Sequence, residues 1–177
     1  MYEIAKQFDF CYGHRVWSQE LKEGFATDTC LACRHLHGHQ GKIIIYLQAE
    51  TLDKGMVTDF KHLGWFKKWL DDTLDHKFIM DIKDPLMEHE VPIKDNARFT
   101  YNDGFDYYRL QGLSHLPQAL QEKYEGMVFV KFVPTSENLC RWIYQIVQAK
   151  MGQIGVIVSR VQFYETPKSQ ANYIPNK

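Results

Sequence analysis

From Tyr2 to Val16 apolar and polar side chains alternate, with Ile4, Phe8, Phe10, Tyr12 and His14 on one parity and Lys6 as the exception. A period of two is the mark of a half-buried strand, so this segment predicts a strand whose inner face ends on a histidine. Lys42 to Thr51 predicts a second strand, with Ile43, Ile45, Leu47 and Ala49 on one parity and Ile44 and Tyr46 on the other, so both faces are expected to be partly covered. Asp53-Lys54-Gly55 reads as a turn. Beyond it the period becomes helical: Phe60, Leu63, Phe66, Leu70 and Leu74 recur behind a Thr58-Asp59 cap, with Lys61, Lys67, Lys68, Asp71 and Asp72 toward water. That helix is expected to stop near Asp75-His76.

The pattern weakens from Asp81 to about Gly126, where Pro85, Pro92, Gly104, Gly112 and Pro117 interrupt any long element. Tyr101, Phe105, Tyr107 and Tyr108 make the stretch too aromatic for a disordered linker, so it is read as an ordered excursion. Met127 to Val133 predicts a strand. Pro134-Thr135-Ser136-Glu137-Asn138 then supplies a hydroxyl cap and a first-turn acid for a second helix. Its stripe is Leu139, Trp142, Ile143, Ile146 and Val147, and Gly152 can end it. A last strand, Ile154 to Glu165, places Ile157, Val161, Phe163 and Glu165 on one parity. Together these elements predict an α+β fold, an antiparallel sheet with two helices on one face.

Composition narrows the class. A chain of 177 residues with 45% hydrophobic content supports one sizeable core, so a single domain over 1–177 is expected, with an insertion at about 84–126. With 21 basic and 22 acidic residues there is no global field to favour nucleic acid or an anionic membrane surface. Four cysteines are too few for a disulfide framework, and no apolar run is long enough to span a bilayer. With no signal pattern after Met1, a soluble cytoplasmic protein is expected.

The densest chemistry lies in Cys30-Leu-Ala-Cys33-Arg-His35-Leu-His37-Gly-His39-Gln40. In an extended segment, residues two apart share a face at roughly 6 to 7 Å between Cα atoms. His37 and His39 can therefore converge on one metal ion, with His14 as a third ligand, leaving one tetrahedral position for water or substrate as in a catalytic zinc site. The competing sets are a closed structural site of Cys30, Cys33, His37 and His39, and no metal at all. The closed site would need a sharp fold, because only three residues separate Cys33 from His37 where a zinc finger has roughly a dozen. Cys33, beside Arg34, His35 and a divalent ion, is a candidate acid–base thiol, whereas Cys11 and Cys140 suit the inert buried reading. Asp75-His76 is either a carboxylate–imidazole pair or a solvated helix end. An ionised Glu165 on an apolar strand face is costly unless it meets a cation or the N–H groups of a ligand.

Six motifs now stand in order: Phe10-Cys-Tyr-Gly-His14, Cys33-x₃-His37-Gly38-His39, Gly55-Met-Val-Thr-Asp59-Phe60, Leu74-Asp75-His76, Pro134-Thr-Ser-Glu-Asn138 and Tyr164-Glu165-Thr166. Apart from Asp84 to Gly126, most of the chain resembles the 6-pyruvoyltetrahydropterin synthase family, above all its queuosine-pathway branch of 6-carboxy-5,6,7,8-tetrahydropterin synthases. The resemblance implies the tunnelling fold, in which subunits join their sheets into a barrel, commonly as hexamers with sites between subunits. It implies zinc on His14, His37 and His39, proton transfer by Cys33 with Asp75 and His76, and a pterin ring anchored by Glu165 in a pocket lined by Thr135 and Ser136. The implied substrate is 7,8-dihydroneopterin triphosphate and the implied partner a further copy of the chain. Cysteine spacing favours the carboxy-forming branch, since the pyruvoyl-forming enzymes place their cysteine two residues earlier, where this chain has Leu31. A pyruvoyl-forming or dihydroneopterin aldolase-like enzyme is the alternative, and a non-catalytic zinc-stabilised binding protein is the alternative of another class. The chain departs from the family at Tyr12-Gly13, in the insertion and in a tail without Tyr-x-Gly-Glu, and no role is assigned to Cys30 or His35.

Overall fold

In the computed structural model of the chain, which describes residues 1–90, 98–101 and 107–176, the alternating N-terminal segment forms one strand, Tyr2–His14. The element order is β1 (Tyr2–His14), β2 (His37–Ala49), α1 (Gly64–Thr73), β3 (Lys77–Asp81), α2 (Met87–Glu90), β4 (Arg98–Tyr101), β5 (Tyr107–Gln111), α3 (Gln118–Glu125), β6 (Met127–Val130), α4 (Ser136–Met151), β7 (Ile157–Thr166) and β8 (Ser169–Tyr173). The strand order is β4-β5-β6-β3-β1-β2-β7-β8, and the fold is α+β.

The sheet is mixed, which corrects the antiparallel expectation. β1 pairs with β3 in parallel (Tyr12 opposite Lys77, His14 opposite Ile79), and β3 pairs with β6 in parallel, whereas β2–β7, β7–β8, β4–β5 and β5–β6 are antiparallel. Parallel neighbours need a long crossover. Between β3 and β6 that crossover is the weakly patterned stretch, which carries α2, β4, β5 and α3. Of the residues noted there, Pro92, Gly104 and Phe105 lie outside the described residues.

The chain divides into two compact units: Met1–Cys11, His39–Asp75 and Thr135–Lys177 form one, and Tyr12–Gly38 and His76–Pro134 form the other. The first has an aromatic core in which Phe8 meets Phe66 edge-on at 5.0 Å, Phe66 stacks on Trp69 at 5.7 Å, Trp69 meets Trp142 at 5.5 Å, and Phe10 meets Phe163 at 6.0 Å. All five stripe residues of α4 are buried. The helix starts as its cap predicts, with Thr135 Oγ1 accepting the Asn138 N–H at 3.3 Å and Glu137 in the first turn. α1 is entered through a 3-10 turn, Phe60–Leu63, capped by Asp59, whose Oδ1 accepts the Lys61 N–H at 2.8 Å. Phe60 falls in that turn rather than on the helix stripe and is exposed. Cys140 is buried and packs its thiol on the Val161 carbonyl at 3.1 Å, and burial pushes its pKa up to about 12, so it is inert.

The closing strand breaks its expected parity. Tyr46 pairs with Arg160 but Leu47 with Val158, so β7 holds one extra residue there. Val158, Val161 and Phe163 are consequently buried and Ile157 is exposed. A second irregularity follows: Tyr164 pairs with Gln170 and Thr166 with Ser169, which makes Glu165 the extra residue against β8.

The second unit is centred on Met80, Met87, Leu110, Leu113, Tyr124, Met127 and Phe129. The excursion thus contributes to this core, and Tyr107 is buried as well. Two buried carboxylates hold the segment that follows His14: Asp84 lies 3.0 Å from Arg15 Nε, and Asp81 accepts Trp17 Nε1–H at 3.0 Å.

Phe66 has no exposure and three ring partners, Phe8, Trp65 and Trp69. Phe66→Ala is expected to destabilise the protein by about 3 to 5 kcal/mol, seen as a lower urea midpoint at unchanged slope.

Candidate metal centre and proton-transfer groups

His14 stands on the same parity of β1 as the buried Phe8, Phe10 and Tyr12, and it is itself fully buried. Its Nδ1–H donates to the Pro134 carbonyl at 2.7 Å, just ahead of α4. A carbonyl only accepts, so the bond leaves Nε2 as the nitrogen with a lone pair. His37 repeats the device: its Nδ1–H donates to the His35 carbonyl at 2.8 Å. The His14 and His37 rings lie 4.6 Å apart. Gly38 separates His37 from His39 on β2, and a Cβ there would stand 3.1 Å from the Tyr12 carbonyl oxygen, so a glycine suits the close approach of backbone at this point. His39 faces the partner that the bulge of β7 presents, with Nε2 3.1 Å from Glu165 Oε1. Ser136 Oγ–H, in the first turn of α4, donates to the other carboxylate oxygen at 2.8 Å. The ligand atoms of His14, His37, His39 and Glu165 all lie within 4.8 Å of one another.

Cys33 sits in a 3-10 turn, Ala32–Arg34, and is half-buried. Its N–H donates to Gln19 Oε1 at 3.0 Å, its carbonyl accepts from Val16 N–H at 2.7 Å, and Arg34 grips the Gln19 carbonyl with Nε and an Nη at 2.9 and 2.6 Å. The thiol is thereby tied to the residues just after His14. Gln19 carried no signal in the sequence, because a lone polar residue in a loop looks like any other. Cys30 is exposed and takes part in an Asx turn with Asp28. Neither Cys30 nor Cys33 belongs to the histidine cluster, so the closed Cys₂His₂ arrangement is not formed. Thr135 and Ser136 divide their work: one caps α4 and the other holds Glu165.

Asp75 and His76 follow α1. Asp75 Oδ1 accepts the Cys11 N–H at 2.7 Å, and His76 takes a left-handed φ of 57°, uncommon for a side chain with a Cβ. The thiol gathered with them is Cys11, whose Sγ lies with the Asp75 and His76 ligand atoms inside 4.8 Å. Cys11 is exposed, which corrects its assignment as a buried, inert residue.

Known proteins share the sequence and the fold of this chain. The family model described as 6-pyruvoyl tetrahydropterin synthase matches residues 3–176. The chain belongs to that family. A relative in Aquifex aeolicus, named 6-carboxy-5,6,7,8-tetrahydropterin synthase, is 32% identical over 97% of each chain. A putative enzyme of the same name in Pyrococcus abyssi is 31% identical over 78% of this chain and 74% of its own. Among solved structures, an uncharacterized protein of Wolinella succinogenes superposes with a TM-score of 0.92 at 47% identity, covering 99% of this chain and 98% of that one. The 6-pyruvoyl tetrahydropterin synthase of Caenorhabditis elegans shares the fold, with a TM-score of 0.58 at 19% identity over 99% and 96%.

For a member of this family the donor set fits a zinc-type ion. Two imidazoles are fixed by backbone carbonyls through Nδ1, the usual way in which a protein fixes the tautomer of a metal-binding histidine. His14→Ala is expected to lower divalent-metal affinity by at least 100-fold, measured by competition with a chromophoric chelator. Ser136→Ala, which touches Glu165 alone among these groups, is expected to leave that affinity within a few-fold.

Proposed function

We propose that this chain is a zinc-dependent 6-carboxy-5,6,7,8-tetrahydropterin synthase, converting 7,8-dihydroneopterin triphosphate and water to 6-carboxytetrahydropterin with release of triphosphate and acetaldehyde. The observation that carries the reading is the cluster of His14, His37 and His39 beside a carboxylate that Ser136 and the β7 bulge hold in place. The relatives named for this reaction support it, as does the spacing of Cys33 from His37.

Bound at the three histidines, zinc would supply Lewis-acid polarisation of the substrate's side-chain oxygens. The remaining roles belong to the chain. Glu165 accepts two parallel N–H bonds from the amino-pyrimidinone edge of the pterin, a geometry a carboxylate matches. Cys33 Sγ removes a proton from the substrate side chain, and the His76 imidazole, oriented by Asp75, returns one. Each such group contributes roughly 10²- to 10⁴-fold. Since Cys33 belongs to neither cluster in the single chain, the reading places Cys33 of one subunit against Asp75-His76 of another in a homo-oligomer, a hexamer by resemblance, built from sheets joined as a barrel. The pathway is queuosine and 7-deazaguanine biosynthesis, in the cytoplasm.

The family model's own description favours a second reading, formation of the 6-pyruvoyl product. One incubation with dihydroneopterin triphosphate and product analysis decides between them: the carboxy product and acetaldehyde are expected, and a pyruvoyl product overturns the first reading. Cys33→Ala is expected to lose roughly 10²- to 10⁴-fold in turnover while keeping its metal content and pterin affinity. Chelation is expected to stop turnover with far-ultraviolet circular dichroism retained. Global unfolding on chelation would assign the histidines to structure instead.

A further inference from the structure

Cys11 is the group the reaction leaves unused. Phe8, Phe10, Tyr12 and His14 point to the buried side of β1, whereas Cys11, on the other parity, is exposed. Successive strand side chains leave opposite faces, so nothing bound at Cys11 Sγ shares an ion with His14. Yet Cys11 has company of its own: its Sγ, an Asp75 carboxylate oxygen and a His76 ring nitrogen lie within 4.8 Å of one another. The Cys11 N–H donates to Asp75 Oδ1 at 2.7 Å, which anchors the carboxylate to the strand beside the thiol. His76, held at φ 57°, brings the third donor to the same place immediately after Asp75.

We propose that Cys11, Asp75 and His76 form a second divalent-cation site, of the thiophilic zinc and cobalt class, separate from the histidine cluster. Sulfur, nitrogen and oxygen from three side chains make a donor set of zinc type, with the fourth tetrahedral position open. Metal–ligand bonds of 2.0 to 2.3 Å put tetrahedral donors roughly 3.3 to 3.6 Å apart. The donors therefore need to close by little more than an ångström from the outer limit of their observed separation. On binding, the Cys11 thiol gives its proton to solvent and the ion takes the thiolate. In the single chain the site is only partly covered, and it is built from one strand residue and two that follow a helix, so it is expected to be weaker than the three-histidine centre.

The functional consequence rests on the proposed role of Asp75 and His76 in proton transfer: an ion held by them removes that pair from the reaction, so excess zinc inhibits. The test loads the full-length protein with one equivalent of zinc per chain and titrates Co²⁺. A second equivalent with a thiolate-to-cobalt charge-transfer band is expected, lost in Cys11→Ser and kept in Cys33→Ser. No second equivalent, or a band that survives Cys11→Ser, overturns the site. In parallel, turnover is measured against added zinc, and the concentration giving half inhibition is expected to rise by roughly 10-fold or more in Cys11→Ser. Cobalt binding at Cys11 without zinc inhibition would uphold the site and overturn the proton-transfer role of Asp75-His76, so the two failures are distinct.

Discussion

The alternation of β1 is the constraint on which both side-chain clusters depend. Burying Phe8, Phe10 and Tyr12 on one face commits His14 to the interior and Cys11 to the surface, and a slip of one residue would exchange them. Each large side chain contributes about 1.5 to 3 kcal/mol through burial. A three-residue apolar face therefore outweighs the cost of burying one imidazole, provided the imidazole is hydrogen-bonded. The Pro134 carbonyl meets that condition. Hydrophobic burial sets the depth of the histidine, and the hydrogen bond sets its tautomer.

The same economy recurs where the backbone is irregular. Pro134 ends the run that leads into α4, Thr135 caps the helix, and Ser136 reaches Glu165. Three consecutive residues thus serve the histidine cluster, the helix and the carboxylate. His35, which had no assigned role, acts through its carbonyl on His37. Backbone acceptors of this kind leave no trace in residue type.

What the sequence made legible follows from that distinction. The β1 parity, the α4 cap and stripe, and the Asp53-Lys54-Gly55 turn, where Lys54 and Gly55 both have positive φ, were readable because each is local and repeats a short-range rule. The pairing direction of the sheet was not, since β1–β3 and β3–β6 are long-range choices that periodicity does not record. Ile157 was misplaced for a related reason: a bulge inserts one residue and reverses parity behind it, while the apolar pattern continues. β5 and α3 went unseen because Gly112 and Pro117 cut their stretch into pieces too short to show a period. Cys11 was misjudged by residue type, although its own parity on β1 already placed it outside.

Glu165 shows how far the chemistry was readable. A carboxylate on the parity of Val161 and Phe163 posed a desolvation problem that called for a partner, and the Ser136 hydroxyl and the His39 ring both meet it. The His39 contact is ionic only while the imidazole is protonated, and an imidazole that ligates a metal is neutral. Positive charge beside Glu165 can thus come from a proton on His39 or from a divalent ion at the histidines. The two exclude each other at the ring nitrogen they share. Either way the carboxylate keeps its compensation, and its position depends on the bulge and Ser136, which are fixed by the backbone of β7 and the first turn of α4 rather than by whichever cation is present.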